Sequence, residues 1–150
     1  MATVVLSIAA AGVLLPFTSG EAVRVEGARR TLAAKLAGDL IEEILTKPFH
    51  EPDDSSYDYN PGPDPGEAAF ADFDNIDDFH GYVESQGQVR DADGAVFTDS
   101  NYANFSRVAS CEYVYMPQES GAANPQFILI TVRVYYSGRE IATVNRLVSQ

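Results

Sequence analysis

The chain has one cysteine, Cys111, two histidines, His50 and His80, and no tryptophan among its 150 residues. A single cysteine excludes an intramolecular disulfide and a zinc site built from several thiolates, and two histidines leave little for a histidine-based metal site. The sequence also lacks a Ser-His-Asp or Cys-His arrangement and a glycine-rich phosphate loop. We therefore predict that the protein is not an enzyme, with an acidic hydrolase built on paired carboxylates as a reserve alternative.

Basic residues are scarce and unevenly placed. The chain has 22 acidic and 10 basic residues, which gives a net charge of −12. Residues 51–100 carry 14 of the acidic residues and a single basic residue, Arg90. An acidic chain repels phosphate backbones, so we predict no nucleic-acid partner. Because the acidic excess is confined to one segment, it indicates a solvated loop region or a cation site.

Residues 1–20 contain no charged side chain. A helix of that length spans about 30 Å, close to the hydrocarbon thickness of a bilayer. Because the segment is apolar on every face, it favours a helix that inserts in a membrane or packs against other subunits. A buried core helix and a cleaved signal peptide are the alternatives, although no basic residue precedes the apolar run. The membrane and assembly residues are Val4, Val5, Leu6, Ile8, Val13, Leu14, Leu15, Pro16 and Phe17.

The next segment, residues 21–47, predicts an amphipathic helix that Pro48 ends. Its apolar residues recur every four positions and form a stripe suited to packing on a sheet. The stripe consists of Leu32, Leu36, Leu40 and Ile44.

The remaining residues, 48–150, predict a globular head. Five prolines between residues 48 and 66 predict an extended connecting loop within an acidic loop region that covers residues 48–85. Residues 86–150 predict an antiparallel sheet of three or four strands. The fold class is therefore α+β, with a long N-terminal helix, apolar and then amphipathic, packed on a C-terminal antiparallel sheet.

Alternating apolar residues place the strands of this sheet. The predicted strands are 105–116, 127–136 and 141–148, with short strands at 87–90 and 95–98 flanking a turn at 91–94. In the strongest strand, alternate residues form one face that a helix is expected to cover. These residues are Ile128, Ile130, Val132 and Val134.

Four aspartates in the acidic region, Asp72, Asp74, Asp77 and Asp78, are candidate ligands for Ca²⁺, a hard cation that takes several oxygen ligands. Their spacing differs from that of the twelve-residue EF-hand loop. The alternative is a solvated acidic loop held in place by the aromatic rings that alternate with the acids. No other cofactor is predicted.

The apolar segment 2–17 has a proline past its middle and leads into an amphipathic helix and an antiparallel sheet. This combination resembles type IV pilins and the pseudopilins of type II secretion systems, particularly prepilin-like proteins of the planctomycete type. In that family the apolar half of the helix anchors the subunit in the inner membrane and then forms the packed core of a filament. The family's basic leader and its early glutamate do not occur here, so we expect either that residues preceding Met1 are missing or that the protein is a divergent member.

The resemblance implies a structural subunit of a type IV pilus-like filament or of a type II secretion pseudopilus. Its partners would be other such subunits, contacted through the N-terminal helix, and the bacterial inner membrane. The head would lie in the periplasm and later in the cell envelope or an extracellular filament. The alternative is a monomeric, membrane-anchored extracytoplasmic binding domain that depends on calcium.

Overall fold

The computed structural model describes residues 2–52, 59–67, 69–115 and 125–150, with side chains from Gly20 onward. Within these residues the chain forms a helix, two short 3-10 helices and a sheet of four strands. The chain divides into two compact units, Met1–Leu32 and Ala33–Gln150. The elements are α1 (Ala2–Ile44), η1 (Asp77–Phe79), β1 (Val83–Glu84), η2 (Ser100–Tyr102), β2 (Phe105–Val114), β3 (Phe127–Tyr136) and β4 (Arg139–Ser149).

The first unit consists of the N-terminal part of α1. Helix α1 runs from the apolar segment into the amphipathic one and has 43 residues. Val23 and Val25 are 72% and 42% exposed. The side chains of residues 1–19 lie outside the described part of the chain. The roles predicted for them therefore stay predictions; these residues are Val4, Val5, Leu6, Ile8, Val13, Leu14, Leu15, Pro16 and Phe17.

The second unit begins with the C-terminal part of α1, which packs on the sheet. Three residues of the predicted stripe are buried, whereas Leu32 is partly exposed and belongs to the first unit. The buried residues of this part of α1 are Ala33, Leu36, Ala37, Leu40, Ile41 and Ile44. The helix ends at Ile44, before the predicted end at Lys47, because the backbone N–H of Lys47 donates to the Ile44 carbonyl in a tighter, 3-10-type turn.

The four strands pair in the order β1-β2-β3-β4, and every neighbouring pair is antiparallel. Strand β3 has the predicted bounds, and its alternation is confirmed because its four inward residues are fully buried. Strand β4 begins at Arg139 and ends at Ser149, so it extends beyond both ends of the predicted strand 141–148. Strand β2 ends at Val114, and Met116, the predicted end, lies outside the described residues.

The segments around the turn at 91–94 differ from the prediction. Residues 87–90 and 95–98 form an isolated bridge between Arg90 and Val96 rather than two strands. Their backbone pairing is restricted to the neighbourhood of the turn, where the N–H of Asp91 donates to the carbonyl of Ala95. Strand β1 lies in the segment predicted as loop.

The connecting loop is described only in part, because residues 53–58 lie outside the described chain. The described residues 59–67 form no helix or strand. The continuous acidic and proline-rich loop of residues 48–66 therefore stays a prediction.

Candidate metal centre in the acidic loop region

Three carboxyl groups from separate points of the acidic loop region, residues 48–85, meet on the second unit. One oxygen each of Glu51, Glu67 and Asp74 lies within 4.8 Å of the others. All three side chains are partly exposed. Ca²⁺ binds oxygen ligands at about 2.3–2.6 Å, so oxygens at this separation fit around one such ion.

Contacts between the end of α1 and residues 73–76 position Glu51 beside Asp74. The backbone N–H of Ile76 donates to the Pro48 carbonyl (3.0 Å), and Lys47 Nζ donates to the carbonyl of Phe73 (2.6 Å). Asn75 Nδ2 then donates to Glu51 Oε2 (2.7 Å). The chain after the helix is thereby fixed against the acidic segment at three points.

A group of aromatic rings holds the acidic segment in the head. Phe73 and Phe79 are buried, with ring centroids 5.1 Å apart, and the rings of Phe70 and Tyr82 pack on both. The rings anchor the segment, as the alternating aromatic and acidic residues predicted.

The Glu67 carboxyl is fixed locally, because the N–H of Asp64 donates to its Oε2 (3.1 Å).

The crowding of acids changes their protonation. Burial, the largest cause, and the negative charges of Asp74 and Asp78 together raise the pKa of Glu51 to about 7. The pKa of Glu67 is also raised to about 7. Burial is the largest cause and Asp78 adds to it, whereas the hydrogen bond from the Asp64 backbone lowers the pKa. For both residues, burial and the neighbouring carboxyl groups disfavour the charged form.

The four predicted calcium ligands have different positions. Asp74 belongs to the cluster, and the buried Asp78 accepts a hydrogen bond from the backbone N–H of Asp74 (2.9 Å). Asp72 is exposed and accepts a hydrogen bond from the N–H of Ala69 (3.0 Å). Asp77 accepts a hydrogen bond from the hydroxyl of Tyr113 (2.9 Å), and burial raises its pKa to about 6 although this bond lowers it.

Sequence reasoning missed Glu51 and Glu67. Each lies in a proline-rich stretch, away from the run of aspartates, and no periodic pattern relates them to Asp74. The sequence signal that was present is the confinement of acidic residues to one segment.

A second polar feature, also missed, is a buried ion pair between Arg107 of β2 and Glu84 of β1. The side chains are 3% and 1% exposed, and Arg107 Nε and Nη2 donate to the two oxygens of Glu84 at 2.5 and 2.8 Å. Arg107 also donates to the carbonyls of Leu36 in α1 and Arg90, both at 2.8 Å. One guanidinium therefore connects α1, β1, β2 and the segment at residue 90.

His80 and Cys111 have structural roles: His80 makes a hydrogen bond to the backbone, and Cys111 is buried in the core. His80 Nδ1 lies 2.6 Å from the Cys111 carbonyl, which only accepts, so Nδ1 carries the donated hydrogen. Cys111 is buried, and burial raises the pKa of its thiol to about 12. The thiol is therefore un-ionised at neutral pH and is a poor nucleophile and metal ligand.

Comparison with protein-family models, with curated proteins and with solved structures found no match to this chain. Among the described residues, no helix has the length and apolar character needed to cross a membrane.

Proposed function

We propose that this chain is a non-enzymatic structural subunit of a type IV pilus-like filament or type II secretion pseudopilus. The apolar residues 1–17 would insert in the inner membrane and then pack against the same segment of other subunits. The head, residues 48–150, would be carried on the outside of the assembly.

The observation that carries this proposal is the unbroken length of α1. The helix has 43 residues, and among its described side chains, which begin at Gly20, those buried in the core of the second unit start at Ala33. Preceding residues such as Val23 are exposed. A helix this long is unusual in a compact domain, and an apolar helical segment needs lipid or other helices around it.

The experiment that tests the proposal is expression of the full chain in a bacterium, followed by membrane fractionation and chemical crosslinking. We expect the wild-type chain in the membrane fraction, with crosslinked species larger than a dimer. Leu14→Asp is expected to remove both, because aspartate at the centre of a membrane helix costs about 2.5–3.5 kcal/mol. The matched control is Val23→Asp, which makes the same charge change at an exposed helix position.

The possible results separate the filament from its alternatives. Membrane insertion without crosslinked multimers contradicts a filament and favours the monomeric membrane-anchored domain. Recovery of the wild-type chain as a monomer in the soluble fraction contradicts both. Equal effects of Leu14→Asp and Val23→Asp would show that residues 1–17 have no special role.

A further inference from the structure

Positive and negative charge are separated along the sequence. Residues 20–35 carry four basic and two acidic residues, whereas residues 36–100 carry 17 acidic and two basic residues. Because like charges repel and opposite charges attract, two copies of this chain are disfavoured from meeting through the same charged surface of each. A contact between the basic segment of one copy and an acidic surface of the next is favoured instead.

One face of α1 in the first unit combines positive charge with exposed apolar groups. Arg24, Val25 and Ala28 are exposed, and Val25 is 42% exposed. Leu32, which is partly exposed, lies on the same side of the helix at helical spacing. Arg24 is not a member of an ion pair among the described residues. These four residues form an amphipathic surface, the Arg24 face, of the kind that docks in a groove.

The second unit has a groove between the exposed side of α1 near its C-terminal end and the turn at 91–94. The groove has a volume of about 330 Å³ and opens to solvent. Ala92 and Phe97 contribute apolar lining, and the Phe97 ring stacks on Tyr102 with centroids 4.2 Å apart. The lining residues that bear carboxyl groups are Asp39, Glu42, Glu43 and Asp91.

Hydrogen bonds within the turn form one wall of the groove in the isolated chain. Asp91 Oδ1 accepts from the backbone N–H groups of Asp93 (3.1 Å) and Ala95 (2.9 Å). Arg90 Nη1 donates to the carbonyl of Gly94 (2.7 Å). A wall that is already ordered loses little conformational entropy when a partner binds, so the groove is suited to recognition.

We propose that this groove binds the Arg24 face of a second copy of the chain. The apolar side chains of the face pack on Phe97 and Ala92, and the Arg24 guanidinium lies between the carboxylates and the ring of Phe97. An arginine in this position gains charge-assisted hydrogen bonds and a cation–π contact. This contact depends on the proposed function, because it joins neighbouring subunits of the assembly.

The contact joins two different surfaces, so it has a direction. When two copies meet, one still has a free groove and the other still has a free Arg24 face. Further copies therefore add at both ends, and the contact gives an open filament or a ring rather than a two-fold dimer.

The test uses the full chain in bacterial membranes, with introduced cysteines and a bis-maleimide that joins two nearby thiols. Val25→Cys places a thiol on the Arg24 face, and Ala92→Cys places one in the groove. Chains with one new cysteine can be joined only into dimers, whereas the chain with both is expected to form a ladder of trimers and larger species. Native Cys111 is buried, so the wild-type chain is expected to give no product with this reagent.

A control pair shows whether the ladder depends on the groove. Val25→Cys is combined with Leu147→Cys, because Leu147 is 48% exposed on β4 and lies outside the groove. This pair is expected to give dimers at most.

Charge reversal tests the electrostatic part of the contact in the chain that carries Val25→Cys and Ala92→Cys. Arg24→Glu and Glu43→Arg are each expected to reduce the ladder about fivefold, and the two together to restore it. Glu112→Arg reverses the charge of an exposed residue of β2 outside the groove and is expected to leave the ladder unchanged.

The proposal is wrong if the chain with both Val25→Cys and Ala92→Cys gives only dimers, or if the Leu147→Cys pair gives an equal ladder. It is also wrong if the combined charge reversals do not restore the ladder. Failure of this contact alone leaves the wild-type chain in the membrane fraction and multimeric with a general crosslinker. Failure of the proposed function instead leaves the wild type as a soluble monomer, with no ladder in any variant.

Discussion

At the scale of single residues, the buried pair of Arg107 and Glu84 has the largest expected effect on stability. Its charges are removed from water, and the guanidinium also satisfies the carbonyls of Leu36 and Arg90. The Glu84 carboxylate receives a further hydrogen bond from the hydroxyl of Tyr82 (3.1 Å). Removing one partner of such a pair leaves a buried charge uncompensated.

We therefore predict that Arg107→Met lowers the free energy of unfolding by about 3–5 kcal/mol. Arg30→Met, which breaks the exposed pair with Glu26, is the matched control and is expected to cost less than about 1 kcal/mol. Urea denaturation followed by circular dichroism measures both. If the two losses are equal, the buried pair does not connect the elements of the head in the way described here.

The alternation of β2 in the sequence indicates that the side chain of Arg107 faces the core. Phe105, Ala109 and Cys111 alternate toward the core, and Arg107 occupies an inward position of the same series. A charged residue at such a position requires a buried partner, but the sequence does not say which acid supplies it. The same limit applies to Glu51 and Glu67, because loops, rather than a periodic element, bring them to Asp74.

At the scale of elements, the turn between β3 and β4 depends on its backbone conformation. Ser137 and Gly138 both have positive φ, 49° and 77°. This is the requirement of a type I′ turn, whose twist matches that of the adjoining strands. No other atoms lie within 4 Å of a Cβ placed on Gly138, so the glycine is needed for its conformation rather than for space.

We predict that Gly138→Ala destabilises the protein by about 1–2 kcal/mol, because an L-residue is strained at this φ. Gly38→Ala, in the interior of α1, has equally open space around the new Cβ and is expected to stabilise the protein by about 0.5–1 kcal/mol. Thermal melts of the two variants show whether each substitution raises or lowers Tm. Destabilisation by both would mean that side-chain space, and not backbone conformation, controls these positions.

Elements with a strong repeating pattern were predicted well, and short elements were not. Strand β3 has ten residues with regular alternation, so its bounds followed from the sequence. Strand β1 has two residues and depends on pairing with β2, through Val83 with Val108 and Glu84 with Arg107. A pairing of this kind is a tertiary contact and leaves no pattern in the local sequence.

At the scale of the whole molecule, the core belongs to Ala33–Gln150. Among the side chains described from Gly20 onward, the buried apolar ones begin at Ala33, and the strands and the aromatic group lie in the same unit. The prediction of an α+β protein with a helix on an antiparallel sheet depended on patterns within this unit and is confirmed. The role of residues 1–17 stays a proposal because it depends on partners outside the chain.

We predict that a chain beginning at Ala28 folds without the apolar segment. It keeps the buried apolar residues of α1 that the structure describes, so it should unfold in a single cooperative transition and retain near-ultraviolet circular dichroism. A chain beginning at Glu42 loses Leu36 and Leu40 from the core and is the comparison that should fail to fold. Loss of cooperative unfolding in the longer chain would contradict the division at Leu32 and Ala33.

The order of strands has a consequence for crowded assemblies. Strand β4 ends the sheet and has eleven residues, whereas β1, at the opposite edge, has two. A long edge strand is a template for fibril-like pairing between molecules, and charged side chains along it oppose such pairing. Exposed Arg139, Glu140 and Arg146 lie on β4. In the proposed filament, where many heads are concentrated in a small volume, these charges would oppose edge-to-edge pairing between the sheets of neighbouring subunits.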